Sequence, residues 1–151
     1  MTSLYEYFAA PDDLAAAATV RSDAVSLGLP SLGLITGIDP AVQIGRVESL
    51  LRRIDFDEVL SQPRWCELLT SIGPNAGPWV VTVTDTLLQS LAEAGQSELE
   101  RTAALWARSH EFSCNDILCL AESLATFLFD LAALARTART ESRQLYCWMS
   151  S

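Results

Sequence analysis

The stretch GPWVVTVTDTLLQSLAEAG, residues 77–95, predicts a buried strand that leads directly into a helix. Trp79–Val83 is short, apolar and rich in β-branched residues, which is typical of a buried strand. Thr84 or Asp85 can cap the helix through a side-chain oxygen, and Gly95 suits a left-handed residue at its end. The predicted buried stripe of this helix is Leu87, Leu88, Leu91 and Ala92.

Strand-to-helix turns carry the chemistry of many enzymes, but this one lacks the residues that such chemistry needs. A phosphate-binding loop requires glycines whose amides face the anion, and none lies between Trp79 and Asp85. A nucleophile elbow requires Gly-x-Ser-x-Gly, which is also absent from this turn. We therefore interpret the hydroxyls of Thr82, Thr84 and Thr86 as strand and cap groups, and we predict no catalytic residue here.

The N-terminal third predicts a strand, a helix and a loop. Residues 3–8, SLYEYF, alternate as a strand does, and Pro11 with the two following aspartates favours a helix over residues 12–21. Residues 22–37 contain several glycines and a proline, which predicts a loop with a short extended piece at Leu32–Ile35.

The middle of the chain begins with a clear helix start. Asp39 can cap a helix in which Pro40 takes the first position, and Gly45 inside that helix suggests a closely packed neighbour. Residues 55–72 fit no single pattern beyond a short helix near Phe56. Three apolar residues of this region are expected to be buried: Trp65, Leu68 and Leu69.

The C-terminal half predicts two helices and a last strand. Ser97 and Glu100 have the spacing of a capping box, and a long, mostly apolar helix is predicted over residues 116–140. Gln144–Met149 then has the pattern of a strand. Strands near both ends with helices between them predict one α+β domain over residues 1–151, with a small sheet and a long buried C-terminal helix.

The charge of the chain restricts its partners. The net charge is −9, from 10 basic and 19 acidic residues, and every basic residue is an arginine. Because nucleic-acid binding needs a basic surface, we expect no nucleic-acid partner. The acidic residues at 12–13 and 55–58 are explained most simply as a solvated surface, and the alternative is a patch for a basic protein.

The N-terminal sequence and the cysteines predict a cytoplasmic protein. MTSLYEYFAAPDD lacks the basic region and apolar core of a secretory signal, and Glu122 and Asp130 interrupt the longest apolar segment, so we expect no membrane span. Reduced thiols are therefore expected at Cys66, Cys114, Cys119 and Cys147. Their spacing relative to His110 fits no zinc pattern, and we predict neither a metal nor a cofactor.

Aromatic residues and the single histidine are the candidate binding residues. Trp65, Trp79 and Trp106 can line a pocket or anchor an interface, although tryptophan also fills cores. His110 with Glu111 could stand at the rim of such a pocket, and the simpler alternative is a histidine that ends a helix. The same two alternatives apply to the other aromatic residues near the predicted sheet, which are Tyr5, Tyr7, Tyr146 and Trp148.

Three segments resemble the YfbM-like family of uncharacterised bacterial proteins. YEYFAAPDD is similar to that family's aromatic strand and acidic helix start, and VTVTDTLLQSLAEAGQSELERTAALWARSHEF is similar to its strand, capped helix, break and second helix. The long helix followed by RQLYCWMSS is similar to its closing helix and strand. The resemblance covers about half of the chain, and it implies an α+β fold without an activity or a catalytic residue.

Two hypotheses about function follow. The first is a non-catalytic protein-binding module, of the inhibitor or immunity type, with a basic partner; it rests on the small size, the acidity and the lack of a catalytic set of residues. The second is a small-molecule-binding protein or enzyme with an aromatic-lined pocket near His110. A homodimer formed through an exposed terminal strand is a further possibility.

Overall fold

One antiparallel sheet organises the protein, whose computed structural model describes residues 3–71, 78–109 and 117–151. Its described strands pair in the spatial order second, first, fifth, fourth, third, and each neighbouring pair is antiparallel. The predicted α+β class is confirmed. The strands are β1 (Leu4–Ala10), β2 (Ser31–Thr36), β3 (Leu68–Ser71), β4 (Trp79–Thr82) and β5 (Gln144–Ser150).

The first and last strands lie inside the sheet. β1 pairs with both β2 and β5, and β5 pairs with both β1 and β4. The expectation that a terminal strand offers an exposed edge is therefore wrong, because the backbone groups of both terminal strands are already paired on each side. The edges of the described sheet are β2 and β3.

Helices cover one face of the sheet. The four longer ones pack on one another, since α5 contacts α2 and α6, and α4 contacts α2 and α6. The core between them and the sheet includes Trp106, Leu128 and Leu131, all almost fully buried. The helices are α1 (Asp13–Ala17), α2 (Val42–Arg52), α3 (Phe56–Leu60), α4 (Asp85–Glu93), α5 (Gln96–Ala107) and α6 (Ile117–Thr140), and a 3₁₀ helix spans Ala18–Val20.

Strand alternation divides the sheet between two cores. Tyr7, Ala9 and Cys147 belong to the core under the helices. Phe8 and Tyr146, one residue along each strand, belong to a smaller core with Ala16 and Ala24. We call the side that carries Glu6, Phe8, Tyr146 and Trp148 the small face. Among the described residues, α1, the 3₁₀ helix, the segment that follows it and Arg64 lie against this face.

The β4–α4 junction is the structural junction that the sequence predicts. Thr84 is the N-cap of α4, and its Oγ1 accepts a hydrogen bond from the Leu87 amide at 3.1 Å. The hydroxyl of Thr82 donates to the carbonyl of Arg64. The hydroxyls of Thr84 and Thr86 both donate to the buried carboxylate of Glu48 on α2, the second at 2.6 Å.

Several local predictions in the first half are confirmed. The acidic helix start predicted after Pro11 is present as α1, with Asp13 in its first turn and Asp12 as the N-cap that accepts from the Ala15 amide at 2.8 Å. Asp39 accepts from the first amides of α2, including that of Val42 at 2.6 Å, but the helix begins at Val42 with Ala41 as its N-cap, so Pro40 does not take the first helical position as predicted. A Cβ built on Gly45 would lie 2.9 Å from the Phe56 ring, so the glycine allows the close packing that was expected.

Other predictions are wrong, and each error has a tertiary cause. The extended piece predicted at Leu32–Ile35 is present, but the loop around it is shorter than predicted, because β2 spans Ser31–Thr36 with β1 as its hydrogen-bonding partner. Leu68 is 59% exposed because it lies on edge strand β3, which the sequence pattern did not predict. Gly95 has φ −85° and precedes α5, which begins at Gln96, so the predicted left-handed glycine and the capping box at Ser97 do not form.

The long C-terminal helix is present as α6. Its Leu128, Ala132 and Ala135 are fully buried, whereas Glu122 and Asp130 are exposed. No helix in the described ranges combines the length and apolar character that a bilayer-crossing helix requires.

Candidate small-face pocket

A pocket of about 240 Å³ opens on the small face of the sheet. Glu6, Phe8, Leu34 and Trp148 form its floor on the strands. Its wall is the segment from Thr19 to Ala24, which leaves the 3₁₀ helix and turns back toward β2. We refer to it as the small-face pocket.

Strand register places the floor residues in one row across the sheet. Glu6 on β1 lies opposite Leu34 on β2 and opposite Trp148 on β5. Side chains directly opposite each other on antiparallel strands share a face. The carboxylate therefore lies between an aliphatic and an aromatic neighbour, and the rings of Phe8 and Tyr146 stack in the next row at 5.7 Å.

Glu6 is the unusual residue of this pocket. Its side chain is buried at 8% exposure, and its Oε2 accepts a hydrogen bond from the Ser31 hydroxyl. Among the described residues, no other side chain forms a hydrogen bond or ion pair with this carboxylate. The second oxygen, Oε1, therefore has no described hydrogen-bond partner, although burying a carboxylate is unfavourable unless charges or donors compensate it.

The wall of the pocket is held by its own hydrogen bonds. The Thr19 hydroxyl donates to the Ala16 carbonyl at 2.7 Å, and the Leu29 amide donates to the Ala24 carbonyl at 2.8 Å. The Asp23 carboxylate accepts from the Ser26 amide at 2.6 Å, and this hydrogen bond lowers the pKa of Asp23. The pocket is therefore preformed and does not need a ligand to order its wall.

The rim of the pocket is apolar and accessible. Leu34 on the floor is 58% exposed, and Val25, one residue beyond the wall, is 74% exposed. The arginine of the wall, Arg21, is exposed, and within the described part of the chain it forms no ion pair with Glu6. The pocket therefore combines exposed apolar side chains, two exposed charged side chains on its wall and one buried carboxylate, and binding pockets commonly combine apolar and polar groups in this way.

The predicted binding tryptophans lie elsewhere. Trp106 is fully buried in the core under the helices, and its Nε1 donates to Gln43 Oε1 at 2.9 Å. Trp65 is partly buried beside Gly45, and Trp79 is partly buried at the start of β4. None of the three lines the small-face pocket.

The predicted residues His110 and Glu111 lie outside the described residues. The structure therefore does not test a pocket near His110, and that hypothesis stays a prediction. Cys114 lies in the same undescribed segment. Within the described ranges, no group of three or more histidine, cysteine, aspartate or glutamate side chains could hold a metal ion.

The Glu48 carboxylate at the β4–α4 junction is a structural group. It is bound by Thr84, by Thr86 and by Arg52, whose Nη1 lies 2.7 Å from Oε2. The gap beside it, which Trp65 also lines, has a volume of only about 10 Å³. That volume is no larger than one water molecule needs, so the cluster connects α2 to α4 without leaving space for a ligand.

A second polar cluster tethers α1 to the segment before β3. Arg64 Nη2 and the Tyr146 hydroxyl both donate to Asp13 Oδ1, at 2.9 Å and 2.7 Å. The Arg64 hydrogen bond, with that of Tyr146, lowers the pKa of the Asp13 carboxyl. Arg64 has φ 68°, a left-handed conformation that a non-glycine residue adopts only when its surroundings hold it. The charges of Arg64 and Asp13 neutralise each other, so we interpret the cluster as a structural connection between α1 and the segment before β3.

Sequence reasoning missed Glu6, and it predicted β2 only as a short extended piece at Leu32–Ile35. A signal for Glu6 was present, since a charged residue stands in the centre of the aromatic strand LYEYF. Alternation places Glu6 on the side opposite Tyr5 and Tyr7, but a half-exposed strand would show the same pattern. Glu6 is buried because residues 19–24 cover that side of the sheet.

Comparisons with known proteins identify no relative. No protein-family profile matches the chain, and no curated protein or solved structure is significantly similar to it. The resemblance to the YfbM-like family therefore stays a prediction.

Proposed function

We propose that this protein is a non-catalytic binding module for a basic partner protein, which docks over the small-face pocket. The observation that carries the proposal is the buried Glu6 carboxylate, which has an oxygen without a described hydrogen-bond partner and an accessible apolar rim around it. Interfaces combine an apolar centre with a few buried polar anchors, and this pocket offers both.

The distribution of charge supports a basic partner. The net charge is −9. Among the described residues, at least five arginines are engaged in ion pairs, namely Arg52, Arg64, Arg101, Arg139 and Arg143. In contrast, Asp55, Asp57 and Glu58 around α3 are exposed, and none of them pairs with a described arginine. The excess acidic charge therefore faces solvent, where it attracts a positively charged protein.

The size of the pocket favours a side chain over a whole small molecule. Its volume of about 240 Å³ lies below the roughly 300–1,000 Å³ of pockets that enclose drug-sized ligands. A partner protein needs only one side chain to enter, while its surface covers the rim residues Val25 and Leu34. Covering a partner's surface in this way is how an inhibitor or immunity-type protein acts without catalysis.

The test is a complex measured with a purified partner. Tagged protein captures proteins from host lysate at about 50 and about 300 mM salt, and each basic protein retained at low salt is purified and titrated by calorimetry. We expect a saturable complex that weakens at high salt, with slowed amide exchange in β1, β2 and residues 19–24. The proposal is wrong if no candidate saturates, or if protection is confined to the helix-covered side.

A further inference from the structure

Given the proposed function, we infer that the small-face pocket receives a lysine side chain of the partner protein. Glu6 would accept from the ammonium group, and the lysine stem would pack along Trp148. The inference deepens the proposed function, because it names the anchor residue that the partner must present.

The floor of the pocket suits a cation. Glu6 brings a negative charge that is more than nine-tenths buried, and its described partner is the neutral hydroxyl of Ser31. A ligand cation would supply the missing counter-charge, and charge-assisted hydrogen bonds are stronger than neutral ones. The Trp148 indole, directly across the strand pair, adds an aromatic face to which ammonium groups are attracted.

The hydrogen bond from Ser31 favours lysine over arginine. Arginine binds carboxylates best through two parallel hydrogen bonds, one to each oxygen. At Glu6, Oε2 already accepts from the Ser31 hydroxyl, so a bidentate guanidinium would have to share that oxygen, whereas Oε1 accepts from no described side chain. A lysine ammonium is a compact charge that needs one oxygen, and its four-carbon stem is apolar like the rim at Leu34.

The other charged side chains of the pocket do not take the place of a ligand cation at Glu6. Arg21 and Asp23 stand on the wall, both exposed, and they are of opposite sign. Asp23 is occupied by the Ser26 amide. Glu6 is therefore the carboxylate on the floor to which a lysine that enters the pocket can bind.

The test uses small probes that need no partner protein. The lysine probe is N-acetyl-lysine methylamide, and the norleucine probe, which keeps the stem without the charge, is its control. Binding is followed by NMR on the indole N–H signal of Trp148, which is assigned with the W148F variant. We expect a saturable shift with the lysine probe and at least a roughly tenfold weaker effect with norleucine.

Two matched variants distinguish an effect of the Glu6 charge on lysine binding from a general effect of the net charge of the protein. E6Q keeps the shape of the side chain and its contact with Ser31, and we expect it to weaken lysine binding by roughly tenfold or more. D57N removes the same charge from the exposed surface of α3, and we expect a change of less than about twofold. Unchanged dispersion of the backbone amide signals shows that each variant is folded. W148L is a second probe of the site; because it lacks the indole, its binding is followed on the backbone amide signals of β1 and β5, and we expect it to weaken binding several-fold.

The outcomes are distinguishable. Equal shifts with the norleucine probe, tighter binding of N-acetyl-arginine methylamide, or equal effects of E6Q and D57N would each overturn the lysine assignment. A purified partner that binds wild type and E6Q equally would also overturn it, while the proposed function stands. If no basic protein binds although the lysine probe does, the proposed function fails and the pocket's preference for lysine is supported.

Discussion

Replacing Thr84 by valine tests how the β4–α4 junction is stabilised. The Thr84 side chain has two roles, since its Oγ1 accepts from the Leu87 amide at 3.1 Å and its hydroxyl donates to Glu48. Losing an N-cap costs about 1 kcal/mol. Losing a hydrogen bond to a buried carboxylate costs about 1.5–3 kcal/mol. We therefore expect T84V to lower the free energy of unfolding by about 2.5–4 kcal/mol.

Thr86 provides the matched comparison, because it has only the second role. Its hydroxyl donates to Glu48 Oε2 at 2.6 Å, and the residue is partly exposed. We expect T86V to cost about 1.5 kcal/mol, the lower end of the range for a bond to a charged group. T126V is the control, since Thr126 is exposed and donates only to the Glu122 carbonyl of its own helix; its cost should be below about 0.5 kcal/mol.

The assay is urea unfolding at neutral pH, followed by far-UV circular dichroism and tryptophan fluorescence. With a slope of about 2 kcal/mol per molar urea, T84V should lower the midpoint by about 1–2 M. If T84V costs no more than T86V, the cap contributes nothing. If both variants match T126V, the hydrogen bonds at Glu48 do not stabilise the junction and our account of it is wrong.

Three further predictions concern the core, a thiol and the pocket. W106F should lower the free energy of unfolding by about 2 kcal/mol, because it removes the hydrogen-bond donor to Gln43 and leaves a cavity in the core. Urea unfolding measures this change. A cost below about 0.5 kcal/mol would contradict the packing of Trp106. Burial raises the pKa of the Cys66 thiol to about 11. At pH 8.5, iodoacetamide should therefore modify Cys66 at least about tenfold more slowly than the exposed Cys119, which peptide mass spectrometry can measure. Equal rates of modification would show that Cys66 is not buried. Because the folded state holds this proton more tightly, the contribution of Cys66 to stability is complete below about pH 8.5 and is lost as the pH rises toward 11. R21A should strengthen binding of the lysine probe by about twofold, since it removes a cation from the pocket wall; weaker binding would show that Arg21 holds the wall in place.

The sequence was most informative where the deciding interaction is local. The run at Trp79–Val83, the cap at Thr84 and the buried stripe of α4 were all predicted, and all are present. Each depends on a hydrogen bond or a periodicity that spans three or four residues, so the sequence contains the whole pattern.

The sequence pattern predicted the wrong bounds where it was compatible with two different local structures. Ser97 and Glu100 have the spacing of a capping box, but α5 begins one residue earlier, at Gln96, and Gly95 precedes it. β2 was predicted mainly as loop because Gly33 interrupts its apolar residues, and this glycine has φ 82° inside the strand. Pairing with β1 outweighs that local signal.

The sequence by itself determined the longer helices, the strands β1, β4 and β5, the acidic charge and the fold class, because these follow from composition and short-range pattern. The tertiary structure alone decided which residues meet. Glu48 and Thr84 are 36 residues apart, and Glu6 and Trp148 come from opposite ends of the chain. Strand alternation leaves Glu6 free to face either solvent or an interior, and only the pairing of β1 with β5 and the fold of residues 19–24 over that face make it a buried carboxylate in a pocket.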